Sequence, residues 1–413
     1  ELLDYLVENV YMLVCVPETS RIARNIVMSQ GKGMDNEPID DFKGLVCFRY
    51  IQDEKDMYKT FDKWDNLAAT PDTDNGYESV GRETIASACV LRATSTLRSK
   101  VPKNAMVPAL EQWLRQHLIQ NKCEGNTFFD TEILPASVAL AKYRDGTILA
   151  ESRGEFDDLG KTIAMRLTFL RGLTKGVGST KEVEMVILQL LLRAEGGIKR
   201  GKKAATDITL KHLDQYLHGV ELAALYMALI KPSTAQRQQR CFHMLDAIQN
   251  NDPDAMIHVS LSQEEKTLLK KMLVCFPFGE TSVGKKIAAF LLERLNAHFL
   301  TQDGHEQTTD GDVVQQQIEH VLPKTPTGKY WNKQWPDQAD KDTWTHRLGN
   351  LVLMSRRVTA KQGSQTFPKK KERYENEVRP LTRNLSKIDV WNKKAMLEQQ
   401  GEIMGLVHYL WGF

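Results

Sequence analysis

Two short apolar runs near the C-terminus constrain this chain most: Ile318-Glu319-His320-Val321-Leu322-Pro323, and further on Leu348-Gly349-Asn350-Leu351-Val352-Leu353. Each run has the length of a strand. The Gly-Asn pair opens the second run as a turn pair does. Pro323 ends the first, because proline has no N–H to give to a ladder. The pattern predicts two paired strands, with a histidine closing one and an asparagine opening the other. On a regular strand neighbouring side chains point to opposite faces, so Glu319 and His320 can share a site only if the strand ends or twists there.

Upstream the periodicity is helical. From about residue 81 to 300 apolar residues recur at helix spacing, as in Lys181 to Arg193 and Glu221 to Ile230. These two stretches are too apolar to stand alone and are expected in a helical core. Before them, Leu2 to Val16 reads as a helix running into a strand, and Ser20 to Met28 as a helix. Ile39 to Phe48 reads as another helix, with Asp40 and Asp41 as plausible caps. Residues 66–80 read as a loop rich in Asn, Thr, Pro, Asp and Gly, and residues 301–312 contain no apolar side chain and read as a linker or exposed loop. The expected division is therefore 1–80, 81–305 and 306–413. The chain opens on Glu1 rather than Met, which is read as a piece of something longer.

No apolar run reaches the roughly 18 residues a membrane span needs, so no membrane partner is expected. The six cysteines (Cys15, Cys47, Cys89, Cys123, Cys241, Cys275) form no C-x-x-C pair, which points to reduced thiols in a cytoplasmic protein and away from a zinc site. Net charge is +2 overall, but from Gly311 onward 17 Lys and Arg face 11 Asp and Glu. That excess coincides with the two apolar runs and suggests a polyanionic partner. The same segment holds five of the seven tryptophans, Trp331, Trp335, Trp344, Trp391 and Trp411. They are read as core filling in a small domain before they are read as base-stacking platforms.

Hydrolysis of a phosphodiester needs a base to activate water, positive charge on the developing transition state, and something to orient the base. His320 suits the first task because imidazole titrates near neutrality. Glu319 is a hard oxygen ligand fit for Mg2+ or Mn2+, and Asn350 can pin the loop that carries the base. Arg356, Arg357, Lys361 and the run Lys369, Lys370, Lys371 follow at once and are candidate phosphate contacts. A competing motif, Gly279-Glu-Thr-Ser-Val-Gly284-Lys285-Lys286, almost spells a phosphate-binding P-loop. It has Lys286 where that loop requires Ser or Thr, and Pro277 argues against the strand that should precede it, so nucleotide binding is set aside.

Taken together, Ile318 to Pro323, Arg347 to Leu353, Phe367-Pro-Lys-Lys370, Tyr374, Leu381-Thr382 and Trp391 resemble the C-terminal His-Me finger (HNH-type) nuclease domain of GmrSD-like and SspE-like defence proteins. The resemblance implies a mainly α chain with a C-terminal α+β domain of the ββα-metal class. It implies a metal-dependent DNA endonuclease, nicking or cleaving, in a bacterial anti-phage, modification-sensing restriction system. His320 matches the general base, Glu319 the acidic metal position and Asn350 the loop-pinning asparagine. Thr359 stands where the family usually has a metal-site asparagine, so the site is expected to bind metal weakly, to recruit another ligand such as His346, or to be attenuated. Ala23 to Lys43, with Trp64-Asp65, is similar to the tail of the ParB/sulfiredoxin-like, NTP-using sensor domain that precedes the nuclease in those proteins. The early D-x-Q-R motif of that domain is absent from the sequence. The expected partners are DNA, phage-derived or modified, and the N-terminal sensor domain. The rival expectation is a DNA-binding module with a degenerate HNH fold.

Overall fold

The computed structural model describes residues 38–69, 80–147, 158–199, 208–302, 316–355 and 365–412. The chain forms two compact units, residues 1–141 and 142–413. That division falls inside the stretch expected as one helical region, and the second unit takes in both long helices and the two apolar runs. The expected elements at Leu2–Val16 and Ser20–Met28, most of the 66–80 loop and the 303–312 segment lie outside the described residues.

In the first unit the described helices are α1 (Pro38–Tyr50), α2 (Glu54–Ala68), α3 (Arg82–Leu97), α4 (Met106–Asn121), α5 (Gly125–Phe128) and the start of α6 (Leu134–Asp145). A π-helical turn, Phe129–Ile133, links α5 to α6. Asp53 caps α2 by accepting from the Asp56 N–H, which satisfies one of the donors a helix start leaves open. Asp40 and Asp41 occupy the first turn of α1 rather than its cap, because that helix already begins at Pro38. There their charge still favours the helix N-terminus. Phe42, Trp64, Trp113, Phe128 and Phe129 form the centre of this core, with Trp113 edge-on to Phe128 at 4.7 Å.

The second unit begins with α7 (Asp158–Gly176), α8 (Glu184–Lys199) and α9 (Leu210–Ile230). Next come α10 (Thr234–Gln249), α11 (Pro253–Ser260), α12 (Gln263–Cys275) and α13 (Ser282–Gln302). Every residue of α9 from Val220 to Leu229 is buried, as an all-round apolar helix must be. Thr209 caps it by accepting from the His212 N–H. The packing of α9 and α13 against α7 makes this the helical core. Truncating a fully buried side chain such as Leu225 costs about 2–5 kcal/mol there. Helices α10 and α12 each start with a capping box, Ser233 with Gln236 and Ser262 with Glu265, which closes both helix starts without outside help.

Glu221 lies at the middle of this core with no exposed surface. Its carboxylate pairs with Arg166 from α7 and, at 3.0 Å, with Arg294 from α13. It also accepts from the Trp411 indole at 3.1 Å. Burial pushes this carboxyl up, but Arg294 and Arg166 outweigh it and hold the group below the ordinary carboxylate value.

The two apolar runs form the antiparallel pair the pattern predicts. Strand β1 (Gln316–His320) pairs with β2 (Leu351–Ser355), His320 facing Leu351 and Gln316 facing Ser355. Between them lie α14 (Gly328–Gln334), α15 (Gln338–Trp344) and a 3-10 turn, Leu348–Asn350. After them come α16 (Phe367–Tyr374), α17 (Pro380–Asn384) and α18 (Lys393–Trp411). Trp331, Trp335 and Trp391 fill the small core beside the sheet together with Phe367 and Tyr374, so they pack rather than present their faces. Helix α13 packs on both strands, and Asn296 on it accepts from the Leu381 N–H at 2.9 Å. Of the described residues, no helix is long and apolar enough to cross a membrane.

Candidate active site

His320 is the last residue of β1, and its ring is almost fully buried at 6% exposure. Its Nε2 lies 3.1 Å from Nδ1 of His346, with the two rings perpendicular. One imidazole must donate to the other, so the pair cannot hold a proton on both facing nitrogens. Burial pushes His320 down to about 3, and Lys324, His346, Lys285 and Lys370 push in the same direction. Burial first, and then Lys324, lowers His346 too, with Glu280 pulling the other way. Both rings are therefore neutral at physiological pH, the form in which a histidine can accept a proton.

Asn350 holds this arrangement from the 3-10 turn that leads into the other strand. Its Oδ1 accepts from the Leu322 N–H at 2.7 Å and from the Trp391 indole at 3.0 Å. Its Nδ2 donates to the carbonyls of Leu322 at 3.0 Å and Thr345 at 2.7 Å. The amide thus uses two donors and two acceptor positions in a site with no solvent exposure, where any one left open carries a desolvation cost of about 1–3 kcal/mol. It ties the chain just after His320 to the chain just before itself. Gly349 beside it has a separate reason. Its N–H donates to Gln400 of α18 at 2.6 Å, and a Cβ there would sit 2.8 Å from the Gln400 Cβ.

Glu319 takes the opposite direction. Its carboxylate accepts from Lys370 of α16 at 2.9 Å, and the same ammonium donates to the His320 carbonyl at 2.6 Å. Burial dominates both partners: it raises Glu319 and lowers Lys370, with the pairing opposing each shift. Lys370, expected as a phosphate contact, is fully buried, and its donors serve the strand end. That expectation is corrected: an ammonium held by a carboxylate and a carbonyl in the core is not available to a phosphate. Of its neighbours in that run, Lys369 is exposed and Lys371 lies 3.6 Å from Asp389. Thr359, Arg356, Arg357 and Lys361 lie outside the described residues.

As a test of fit for a hard divalent cation, the described donors fall short. Glu319 is the one carboxylate of the expected ligand set among them, and Lys370 holds it. The two imidazoles face each other, and no group of three His, Cys, Asp or Glu able to hold a metal occurs among the described residues.

The loop set aside as a nucleotide motif lies directly on the histidine pair. The Gly279 N–H donates to the His346 carbonyl at 3.1 Å. A Cβ on Gly279 would overlap the His320 Nε2 and lie 2.9 Å from the His346 Nδ1, so only glycine allows this approach. The loop leads into α13, whose first turn carries Lys285. Nothing in the near-P-loop spelling connects these residues with His320; the contact is made only in the fold.

A search of curated proteins found no match to this chain. Residues 269–406, which hold Gly279, Lys285, Glu319, His320, His346, Asn350 and Lys370, match the family described as GmrSD restriction endonucleases, C-terminal domain, and it is this GmrSD-like region that carries the site.

Proposed function

We propose that this chain is a DNA endonuclease of the restriction type, acting in the cytoplasm as the effector of a bacterial anti-phage system that senses modified DNA. In this reading residues 306–413 form a His-Me finger (HNH-type) domain, residues 81–305 its helical scaffold and residues 1–80 the tail of a sensor domain. Two antiparallel strands followed in sequence by helix α16 support the ββα assignment. The observation that carries the reading is a buried histidine at the end of β1, its Nε2 3.1 Å from the His346 Nδ1, inside the segment that matches restriction endonucleases.

In the proposed reaction His320 takes a proton from the attacking water, and His346 orients the ring through the N···N hydrogen bond. Asn350 keeps the strand end in place. A cation, Mg2+ or Mn2+ with Glu319 and Thr359 as ligands, belongs to the same proposal. Lys370 holds Glu319, so a cation at that carboxylate would have to displace the ammonium. The test is nicking of supercoiled plasmid with Mg2+, Mn2+ or chelator. His320→Ala is expected to lower the rate by about 10²–10⁴ while leaving the circular dichroism melt near that of the parent chain. Unchanged cleavage by this variant sinks the assignment.

A second reading, a DNA-binding module that does not cut, is favoured by one observation, the Glu319–Lys370 pair that occupies the expected metal carboxylate. Retarded mobility without nicked product under every metal condition would select it.

A further inference from the structure

Positive charge gathers beside the histidine pair. Lys324 follows β1 just after Pro323, and Lys285 comes from the first turn of α13. Lys285 is a near enough neighbour to hold Lys324 below the ordinary lysine value, after burial, and both act electrostatically on His320 and His346. The contact at Gly279 supplies the geometric reason, since it brings the 279–285 loop onto the imidazoles. Among the described residues neither lysine forms an ion pair with a carboxylate. Two acids lie in the neighbourhood: Glu319 is ion-paired with Lys370 and also acts on Lys324 through space, and Glu280 acts on His346. Lys324 is exposed and Lys285 half-buried, so an incoming ligand can reach them.

Two ammonium groups at such a distance repel. Lysine side chains are long and flexible and could separate into water, but here the two segments that carry them meet at the histidine pair. An anion between them removes the repulsion and satisfies donors that lack an acceptor. A phosphate offers several acceptor oxygens at the spacing two lysines can share.

We infer that Lys285 and Lys324 together bind a backbone phosphate of the DNA strand that lies across the His320–His346 pair, and so position the scissile bond. This rests on the endonuclease reading of the site. It adds two residues from different segments, one of them on the helix that precedes the strand pair. Both are positioning residues, holding a phosphate against the base rather than taking part in proton transfer.

The experiment is fluorescence anisotropy of a labelled DNA duplex with the full chain, in chelator and without divalent metal, from about 50 to 200 mM salt. Lys285→Gln and Lys324→Gln are each expected to weaken binding about 3- to 10-fold at low salt and to flatten the log K against log salt slope by about one. The double variant should lose no more than about one in slope, because the two lysines share one phosphate, while Lys270→Gln, an exposed lysine on α12, should change neither affinity nor slope. A double variant with the affinity and slope of the parent overturns the inference. ATP is the second probe. If it displaces duplex from the parent chain and not from the double variant, the pair takes a nucleotide polyphosphate, and the assignment to a DNA backbone falls. Because binding is read without cleavage, the outcomes separate. Nicking lost in His320→Ala with binding unchanged in the lysine variants removes this inference alone. Weakened binding in the lysine variants with no nicking by the parent removes the cleavage reading alone.

Discussion

The second unit buries two polar clusters of opposite balance. Around Glu221 one carboxylate meets two arginines and an indole N–H, and its charge is answered inside the protein. Around His320 two imidazoles face each other beside two lysines; Glu319 and Glu280 act on this group through space, but among the described residues neither lysine is ion-paired with a carboxylate. Burying charge is tolerable only when it is matched. The first cluster matches its own charge and serves the fold. The second keeps its histidines neutral and leaves its cations at the edge, with Lys324 exposed and no ion pair closing on it. That contrast is what the proposed phosphate contact of Lys285 and Lys324 rests on.

The largest effect should come from breaking the closed cluster. Glu221→Ala leaves Arg166 and Arg294 buried without their shared acid, and should destabilise the unit by about 3–5 kcal/mol in urea unfolding. A loss under about 1 kcal/mol would mean the arginines find other partners, and the contrast between the clusters would collapse.

Gly279→Ala tests the open cluster at its point of closest approach. The added Cβ must push His320 or His346 aside, with a stability cost of about 1–3 kcal/mol. The nicking rate should fall further than that cost explains, since the base is displaced. Equal loss in both measurements would make the glycine a packing residue only.

The pH response sharpens the comparison. The unfolded chain protonates His320 near the ordinary value of about 6.5, whereas burial and then the flanking Lys324, His346, Lys285 and Lys370 hold the folded-state value down to about 3. Below about pH 6.5 the unfolded state therefore binds the additional proton, so stability falls as pH drops toward 3. His320→Asn should lose less stability than the parent between about pH 8 and 5 in thermal melts. Parallel losses would show that the ring is protonated as easily folded as unfolded.

The smallest effect concerns the lysines without ligand. Lys285→Gln removes one member of a repelling pair and should leave stability unchanged or raise it by about 1 kcal/mol or less. A clear loss of stability would reveal an acidic partner and turn this cluster into another closed one.

A good part of this was legible in residue order. Strand pairing at Ile318–His320 and Leu351–Leu353 followed from the spacing of apolar residues, Gly-Asn and Pro. The long helices followed from their period, and the core role of Trp331, Trp335 and Trp391 from the scarcity of other large side chains in a small domain. These are local or compositional properties, and a one-dimensional pattern carries them. The role of Lys370 was misread because a lysine run normally signals a solvated face. Here the turn of α16 sends the middle lysine into the core while Lys369 stays in water.

The sequence by itself determined a mainly helical chain with a strand pair and a histidine at its end. Only the tertiary structure decided what surrounds that histidine. His346, Gly279, Lys285 and Lys324 come from separate segments, and their meeting depends on α13 packing across both strands. The reason is physical: strand and helix are encoded by neighbours in the chain, whereas the charge and burial around an imidazole are set by whatever the fold brings within a few ångströms of it.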